Sequence, residues 1–273
     1  MRPRIFFSSL AFVAATLACI TLFSRWPAHS SASSNAAISA KQPVVLELFT
    51  SEGCSSCPPA DSLLAKLSED QPFDGVEIIA LEEHVDYWNS LGWSDPFSSP
   101  DFSRRQEQYA KLLPDGGVYT PQMIVDGRAQ FVGSRTHETR DQIRWAASHP
   151  KSHLLLTPTS TPTSNPHSRS FELRFDPSTP APNSALDLWI AITEKNLHSD
   201  VTAGENSGHT LQHAPVVRQL SKLQSLSAPL SAPITFTIDL RKDWLPTNLT
   251  VVAFLSGPHS RQIQAAGSSP LTP

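Results

Sequence analysis

Two cysteines separated by two serines, in Gly53-Cys54-Ser55-Ser56-Cys57-Pro58, are the residues whose type and spacing most directly specify a chemistry. A thiol attacks a disulfide only as the thiolate, and a helix N-terminus stabilises that anion through free N–H groups and aligned peptide dipoles. Two intervening residues let the second sulfur reach back and resolve a mixed disulfide. Cys54 is then the exposed nucleophile and Cys57 the more buried resolving thiol. Other uses of the pair compete with this one. A static disulfide would merely staple the loop. Zinc would need two further ligands, yet there is no second CxxC, and the ten histidines show no ligand spacing. Copper held by Cys54, Cys57 and a histidine such as His84 is a third idea, without Met-rich support in a chain of two methionines. The reading carried forward has no cofactor and no metal. Its substrates are disulfides of proteins or small thiols, and a redox partner protein restores the pair.

The elements that must position the cysteines follow from periodicity. Val44–Phe49 is a short apolar run that predicts a strand buried on both faces. After it, Ala60, Leu63, Leu64 and Leu67 mark one face of a helix, with Pro58 and Pro59 in its first turn. Val76–Leu81 predicts the next strand, completing a right-handed, parallel β-α-β unit. A long excursion from His84 to Pro100 precedes a helix over Asp101–Leu113, with Phe102, Tyr109, Leu112 and Leu113 as its apolar side. Gln122–Val125 and Ala129–Val132 flank Asp126-Gly127, a strong hairpin signal, and a last helix starts near Thr136. That order is the topology of a thioredoxin-like α/β domain over residues 41–150, a central mixed sheet with helices on both faces.

Three groups are expected beside the cysteines. Pro121, in Tyr119-Thr120-Pro121, follows the CxxC unit where a cis bond would lay its loop against the disulfide; the alternative is a trans proline opening a strand. The backbone of Thr120, with Tyr119, would then pair with an extended substrate by strand addition. Glu47 interrupts the first apolar run. It is either a buried carboxylate beneath the cysteines, accepting the proton of Cys57, or a strand-edge residue facing solvent. His84 and Asp86 follow a strand end, where sites form in open α/β sheets, and are expected to line a substrate cleft. The competing reading is a packed lid, with Trp88 and Trp93 covering the core.

Composition changes at Pro150, and residues 157–168 read as a linker or inter-strand loop. Short alternating segments follow at Ser170–Phe175, Leu186–Thr193, Ile234–Leu240, Leu249–Leu255 and Gln262–Ala266, predicting an all-β, sandwich-like domain over residues 151–273. Residues 1–40 stand apart. Arg2 and Arg4 precede an apolar run from Ile5 to Phe23 and a Ser/Ala-rich stretch, the order of a signal peptide or an uncleaved membrane anchor. Cys19 reads as an ordinary residue of that apolar run. Export to the periplasm or beyond follows, with membrane contact only through that segment. A formal charge of −4, with no basic cluster past the N-terminus, offers no footprint for nucleic acid.

The stretch Val45–Asp61 resembles a bacterial secreted family catalogued as domain of unknown function 1223. So do His84–Trp88, Leu91–Phe97, Tyr119–Met123 and Gly204–His213 ahead of Val216-Val217-Arg218. The resemblance runs from about Pro43 nearly to the C-terminus, and implies a thioredoxin-like fold and export. It supplies no activity, so the redox role rests on Cys54 and Cys57. It also implies that Gly204–His213 is a shared feature, a loop expected to fold over the first domain through Glu205, Asn206 or His213. Compared with better-known redox relatives, Gly53 replaces the usual Trp, and neither Pro nor His lies between the cysteines. With no Lys or Arg between Pro43 and Asp61, and Glu52 close by, Cys54 is expected to be only moderately acidic. The competing function is a non-enzymatic binding or scaffold protein with a structural disulfide, favoured by the presence of the second domain.

Overall fold

Alternation along one strand organises the N-terminal half. In β1 (Gln42–Thr50), Val44, Leu46 and Leu48 point to one face while Val45, Glu47 and Phe49 point to the other. The first face is covered by α1 (Pro58–Asp70), through Ala60, Leu64 and Leu67, and by α3 (Thr136–Ala147), through Ile143 and Ala146. The second is covered by α2 (Pro100–Leu112), whose buried positions Phe102, Arg105, Gln106 and Tyr109 fall at helical spacing. Ser99 caps α2 by accepting a hydrogen bond from the Asp101 N–H, with Pro100 in the first turn. These facts come from a computed structural model describing residues 41–114, 116–159, 165–227 and 232–272. The signal peptide or anchor expected in residues 1–40, with Cys19, lies outside those residues, as does part of the expected linker.

β1 pairs in parallel with β2 (Val76–His84) and antiparallel with β3 (Gln122–Val125), which forms a hairpin with β4 (Ala129–Val132). β2 runs three residues beyond the strand expected from the sequence. Glu82, Glu83 and His84 pair with Leu48, Phe49 and Thr50 of β1, and all three are buried.

The C-terminal half supplies β5 (Ser152–Pro158), β6 (Ser168–Phe175), β7 (Leu186–Glu194), β8 (His198–Asp200), β9 (Thr210–Gln212), β10 (Val216–Leu226), β11 (Ile234–Asp239), β12 (Leu249–Ser256) and β13 (Ile263–Pro270). Its core gathers Phe171, Leu188, Ile190, Phe236, Val251 and Leu255 among others. No α-helix occurs in this half among the described residues, and this apolar face is covered by strands together with the loop residues Leu240, Trp244 and Leu271.

The composition change at residue 150 does not divide the sheet. Eleven strands form one mixed sheet in the order β11-β6-β5-β13-β12-β7-β10-β2-β1-β3-β4, and the described residues cluster as one compact unit. The join is a parallel bridge between Val216 of β10 and Glu82 of β2. A shared cluster of Val45, Ile79 and Leu81 with Val217, Val252 and Phe254 seals it. The architecture is therefore a mostly-sheet α/β fold with a large mixed sheet and few helices. Among the described residues no helix is long and apolar enough to cross a membrane.

Candidate functional site

Cys54 and Cys57 form a disulfide at the start of α1, with Cα atoms 5.5 Å apart. The chain enters the helix through a turn in which Cys57 N–H donates to the Cys54 carbonyl at 3.2 Å, and Cys57 occupies the N-cap position. Pro58 and Pro59 fill the first helical positions and carry no N–H, so the helix end offers a thiolate fewer donors than usual. The Ser56 hydroxyl, 3.3 Å from Cys54 Sγ, is one polar group that does reach it.

Neither cysteine has solvent exposure, which corrects the expectation of an exposed Cys54. The cover comes from the far half of the chain. β8 and β9 pair as a short two-stranded arm, and its connecting strap lies over the disulfide loop. Asn206, itself buried, donates from Nδ2 to the carbonyls of Glu52 at 2.8 Å and Cys54 at 3.0 Å. Glu205 accepts the Ser55 N–H at 3.0 Å. Gly204 sits at φ +73, and a Cβ there would lie 3.1 Å from the Cβ of Trp93, so this close approach selects glycine. Trp88 closes the other flank, donating from Nε1 to Thr120 Oγ1 at 2.8 Å.

Beneath the loop, on the α1 face of the sheet, lies a buried set of ionisable groups. Glu52 accepts from Trp93 Nε1 at 2.6 Å and from His213 Nε2 at 3.0 Å. Asp95 accepts the Glu52 N–H and lies 2.7 Å from His84 Nδ1. Burial pushes the Asp95 carboxyl up, but the His84 charge and hydrogen bond outweigh it and hold the group below the usual range. Burial likewise lowers both imidazoles. At His84 the Asp95 carboxylate more than offsets it, and at His213 the Glu52 hydrogen bond, with the charges of Glu82 and Glu52, pushes the ring up to about 10. Glu82 stands between the rings, its Oε1 3.7 Å from His84 Nε2 and 3.6 Å from His213 Nδ1. Asp61, one helical turn after Cys57, accepts from Thr50 Oγ1 at 2.6 Å. Burial, then the nearby Glu82, hold its carboxyl well above the ordinary range.

The groups expected beside the cysteines are placed unevenly. The Thr120–Pro121 bond is cis, and Pro121 is buried, while Thr120 and Tyr119 are half-buried. The Tyr119 carbonyl accepts from Gln106 Nε2 at 2.7 Å, so it is already used within the chain. Glu47 is not beneath the disulfide. It points to the α2 face, where Arg105 Nε and the Tyr109 hydroxyl each donate to it at 2.5 Å. With α1 on the opposite face, its carboxylate is engaged elsewhere and does not serve Cys57. His84 lines no cleft, because as the last residue of β2 it is 1% exposed and held by Asp95. Asp86 is half-buried, and its carboxylate is taken by the Ser103 hydroxyl. The excursion after β2 is therefore a packed cover, with Trp88 and Trp93 as its hydrogen-bonded anchors.

Sequence reasoning missed Asp61, Glu82 and Asp95. Glu82 was hidden because a Glu-Glu-His run reads as solvated, whereas the β1 register carries it inside. Asp61 shares the first turns of α1 with the CxxC and is buried, a position that a count of the helix face four residues after Cys57 could have found.

A mostly-sheet α/β fold with a buried disulfide at a strand-to-helix turn defines the class of molecule. Residues 45–256 match the family described as protein of unknown function (DUF1223), and the chain belongs to that family. Among solved structures it is similar to protein AGR_C_4864 from Agrobacterium tumefaciens, at 25% identity and TM-score 0.60, covering 83% of this chain and 92% of that one. A hypothetical protein PH1083 from Pyrococcus horikoshii OT3 aligns over 44% of this chain and 86% of its own, at 11% identity and TM-score 0.21, too distant to inform the fold. No curated protein matches the chain.

Proposed function

We propose that this protein is an exported thiol–disulfide oxidoreductase in which residues 41–150 form a thioredoxin-like unit and Cys54–Cys57 is the reacting pair. The observation that carries the reading is the disulfide itself, set where a buried strand turns into α1. The β2-β1-β3-β4 order, with helices on both faces, supports the thioredoxin-like assignment. Export is supported by the leader-like order of residues 1–40, and by the persistence of disulfides in oxidising compartments.

In the reducing direction, the Cys54 thiolate attacks one sulfur of a substrate disulfide and expels the other as thiolate. Cys57, giving its proton to a carboxylate, then attacks Cys54 Sγ and releases the second substrate sulfur. The substrate gains two electrons, the Cys54–Cys57 bond forms, and a dithiol partner protein returns the pair to its reduced state. Oxidation of a substrate dithiol runs the same steps backwards. Asp61 is the carboxyl group suited to the proton exchange, since it lies one turn beyond Cys57 on the same helix and is buried. Substrates of this reading are protein or small-thiol disulfides, and the strap must lift before either sulfur meets them.

Trapping tests the proposal. A Cys57→Ser chain should accumulate mixed disulfides at Cys54 with a disulfide-bonded peptide, while Cys54→Ser should accumulate none. Absence of adducts on both would remove the reaction. One observation favours a second reading, a binding or scaffold protein with a structural staple: both cysteines are wholly buried under the strap.

A further inference from the structure

The buried histidines and Glu82 pose a problem that the redox reading does not use. Among the described residues, Glu82 Oε1 and Oε2, His84 Nε2 and His213 Nδ1 have no hydrogen-bond partner, although each side chain is at most 1% exposed. Buried polar atoms without partners are costly, and four converging on one point need an explanation. The outer atoms of the same rings are fully engaged. Asp95 accepts only, so His84 Nδ1 donates to it, and His213 Nε2 faces Glu52, which is fixed in turn by Trp93. In its neutral form each ring would keep its proton on the outer nitrogen and turn the lone pair of the inner nitrogen toward the Glu82 carboxylate.

From this juxtaposition we propose that Glu82, His84 and His213 form a site for a divalent transition-metal ion of the zinc type. The three donor atoms lie within 4.8 Å of one another. Separations of 3.6 and 3.7 Å are too long for hydrogen bonds, but near the about 3.3–3.4 Å that bonds of about 2.0–2.1 Å at tetrahedral angles would give. Two imidazoles and one carboxylate are a donor set that suits zinc and leaves one coordination position to a further ligand. Asp95 and Glu52 stand as the outer carboxylates that orient metal-bound histidines. His213 also borders a groove of about 710 Å³ between α1 and the C-terminal strands. The competing occupant of the junction is a proton on His213, shared with Glu52 and Glu82.

This assignment is independent of the redox reading and is tested with the cysteines left as the disulfide. The full chain, stripped with a chelator, is titrated with Co²⁺ and then with Zn²⁺. The expected result is one Co²⁺ per chain, displaced by Zn²⁺, with the visible bands of a four-coordinate nitrogen and oxygen site and no sulfur charge-transfer band. Glu82→Gln and His213→Ala, checked for folding by circular dichroism, should abolish stoichiometric uptake, and Asp95→Asn should weaken it about 10- to 100-fold. Failure of the wild-type chain to hold an equivalent of either ion overturns the proposal, as does uptake unchanged in both ligand variants. A thiolate band would overturn it too, by assigning the ion to the cysteines. Should the ligand variants not fold, the wild-type stoichiometry and Co²⁺ spectrum decide alone.

Discussion

Two buried polar clusters lie back to back across the β1–β2 ladder, and they are built on opposite principles. On the α2 face, Arg105 occupies the middle, bonded to Glu47 at 2.5 Å, 3.6 Å from Glu83, and flanked by the rings of Tyr109, Trp189 and Phe254. Burial opposes its charge, but Glu47 more than compensates and raises the guanidinium further, so it stays a cation. Burial first, then Glu47, raise the Glu83 carboxyl well above its usual range and favour its neutral form. This cluster carries its own cation. On the α1 face the carboxylates of Glu52, Glu82 and Asp95 surround two imidazoles, with no guanidinium or ammonium paired to them among the described residues, and the disulfide loop sits directly above. Strand alternation alone separates the two, since Glu82 and Glu83 are adjacent in sequence. The fixed cation marks a structural cluster. The two imidazoles beneath the disulfide loop, under a strap from the other half of the chain, mark the candidate functional one.

Breaking the closed cluster should have the largest effect. Arg105→Met leaves Glu47 buried without its cation, and should cost about 3–5 kcal/mol in urea unfolding. A loss below about 1 kcal/mol would remove the contrast between the clusters. The disulfide should matter less to the fold. By loop entropy a crosslink spanning so few residues contributes only about 2 kcal/mol, so the Cys54→Ser/Cys57→Ser chain should remain folded, with a midpoint lowered accordingly. Unfolding of that double variant would favour the staple. Next, Asn206→Ala removes two hydrogen bonds from the strap, together about 1–3 kcal/mol, and should speed reduction of the disulfide by dithiothreitol about 10-fold. An unchanged rate would mean that the strap does not gate the sulfurs.

The smallest effect belongs to a partly exposed pair at the seam between the halves, His153 of β5 and Glu77 of β2, 3.6 Å apart. The neighbouring Glu77 carboxylate raises His153 despite burial. Burial pushes Glu77 up, but His153 and Ser268 outweigh it and hold it below its usual range. A raised histidine contributes fully below its unfolded pKa of about 6.5 and loses that contribution as pH climbs through the folded value. A lowered carboxyl contributes above about 4.3 and loses it as pH falls. The pair should therefore add stability between about pH 4.3 and 6.5, and wild type minus His153→Ala, followed by thermal unfolding against pH, should peak there.

The sequence made the N-terminal half legible because its elements are amphipathic in simple ways. Val44–Phe49, the Ala60-Leu64-Leu67 face and the Asp126-Gly127 hairpin all have buried positions written as apolar residues. Where buried positions are polar, the reading stopped short. Glu82-Glu83-His84 ended a strand on paper yet continues β2, and Arg105 and Gln106 sit on the buried face of α2. β10 went unread because much of its length is exposed and polar. His84 and His213 share no motif; they meet because the peptide before β10 runs alongside Glu82, whose N–H donates to the Pro215 carbonyl. The strap shows the same limit, since Asn206 acquires meaning only when β8 and β9 carry it over Cys54.

The central claim is that the buried Cys54–Cys57 pair is a working redox couple, and its reduction potential, from equilibration of the full chain with glutathione, tests that most directly. A value between about −270 and −120 mV is predicted, within the range of catalytic dithiols. A pair that glutathione cannot reduce, with a potential below about −300 mV, would contradict the account and leave the disulfide as a structural staple beneath the strap.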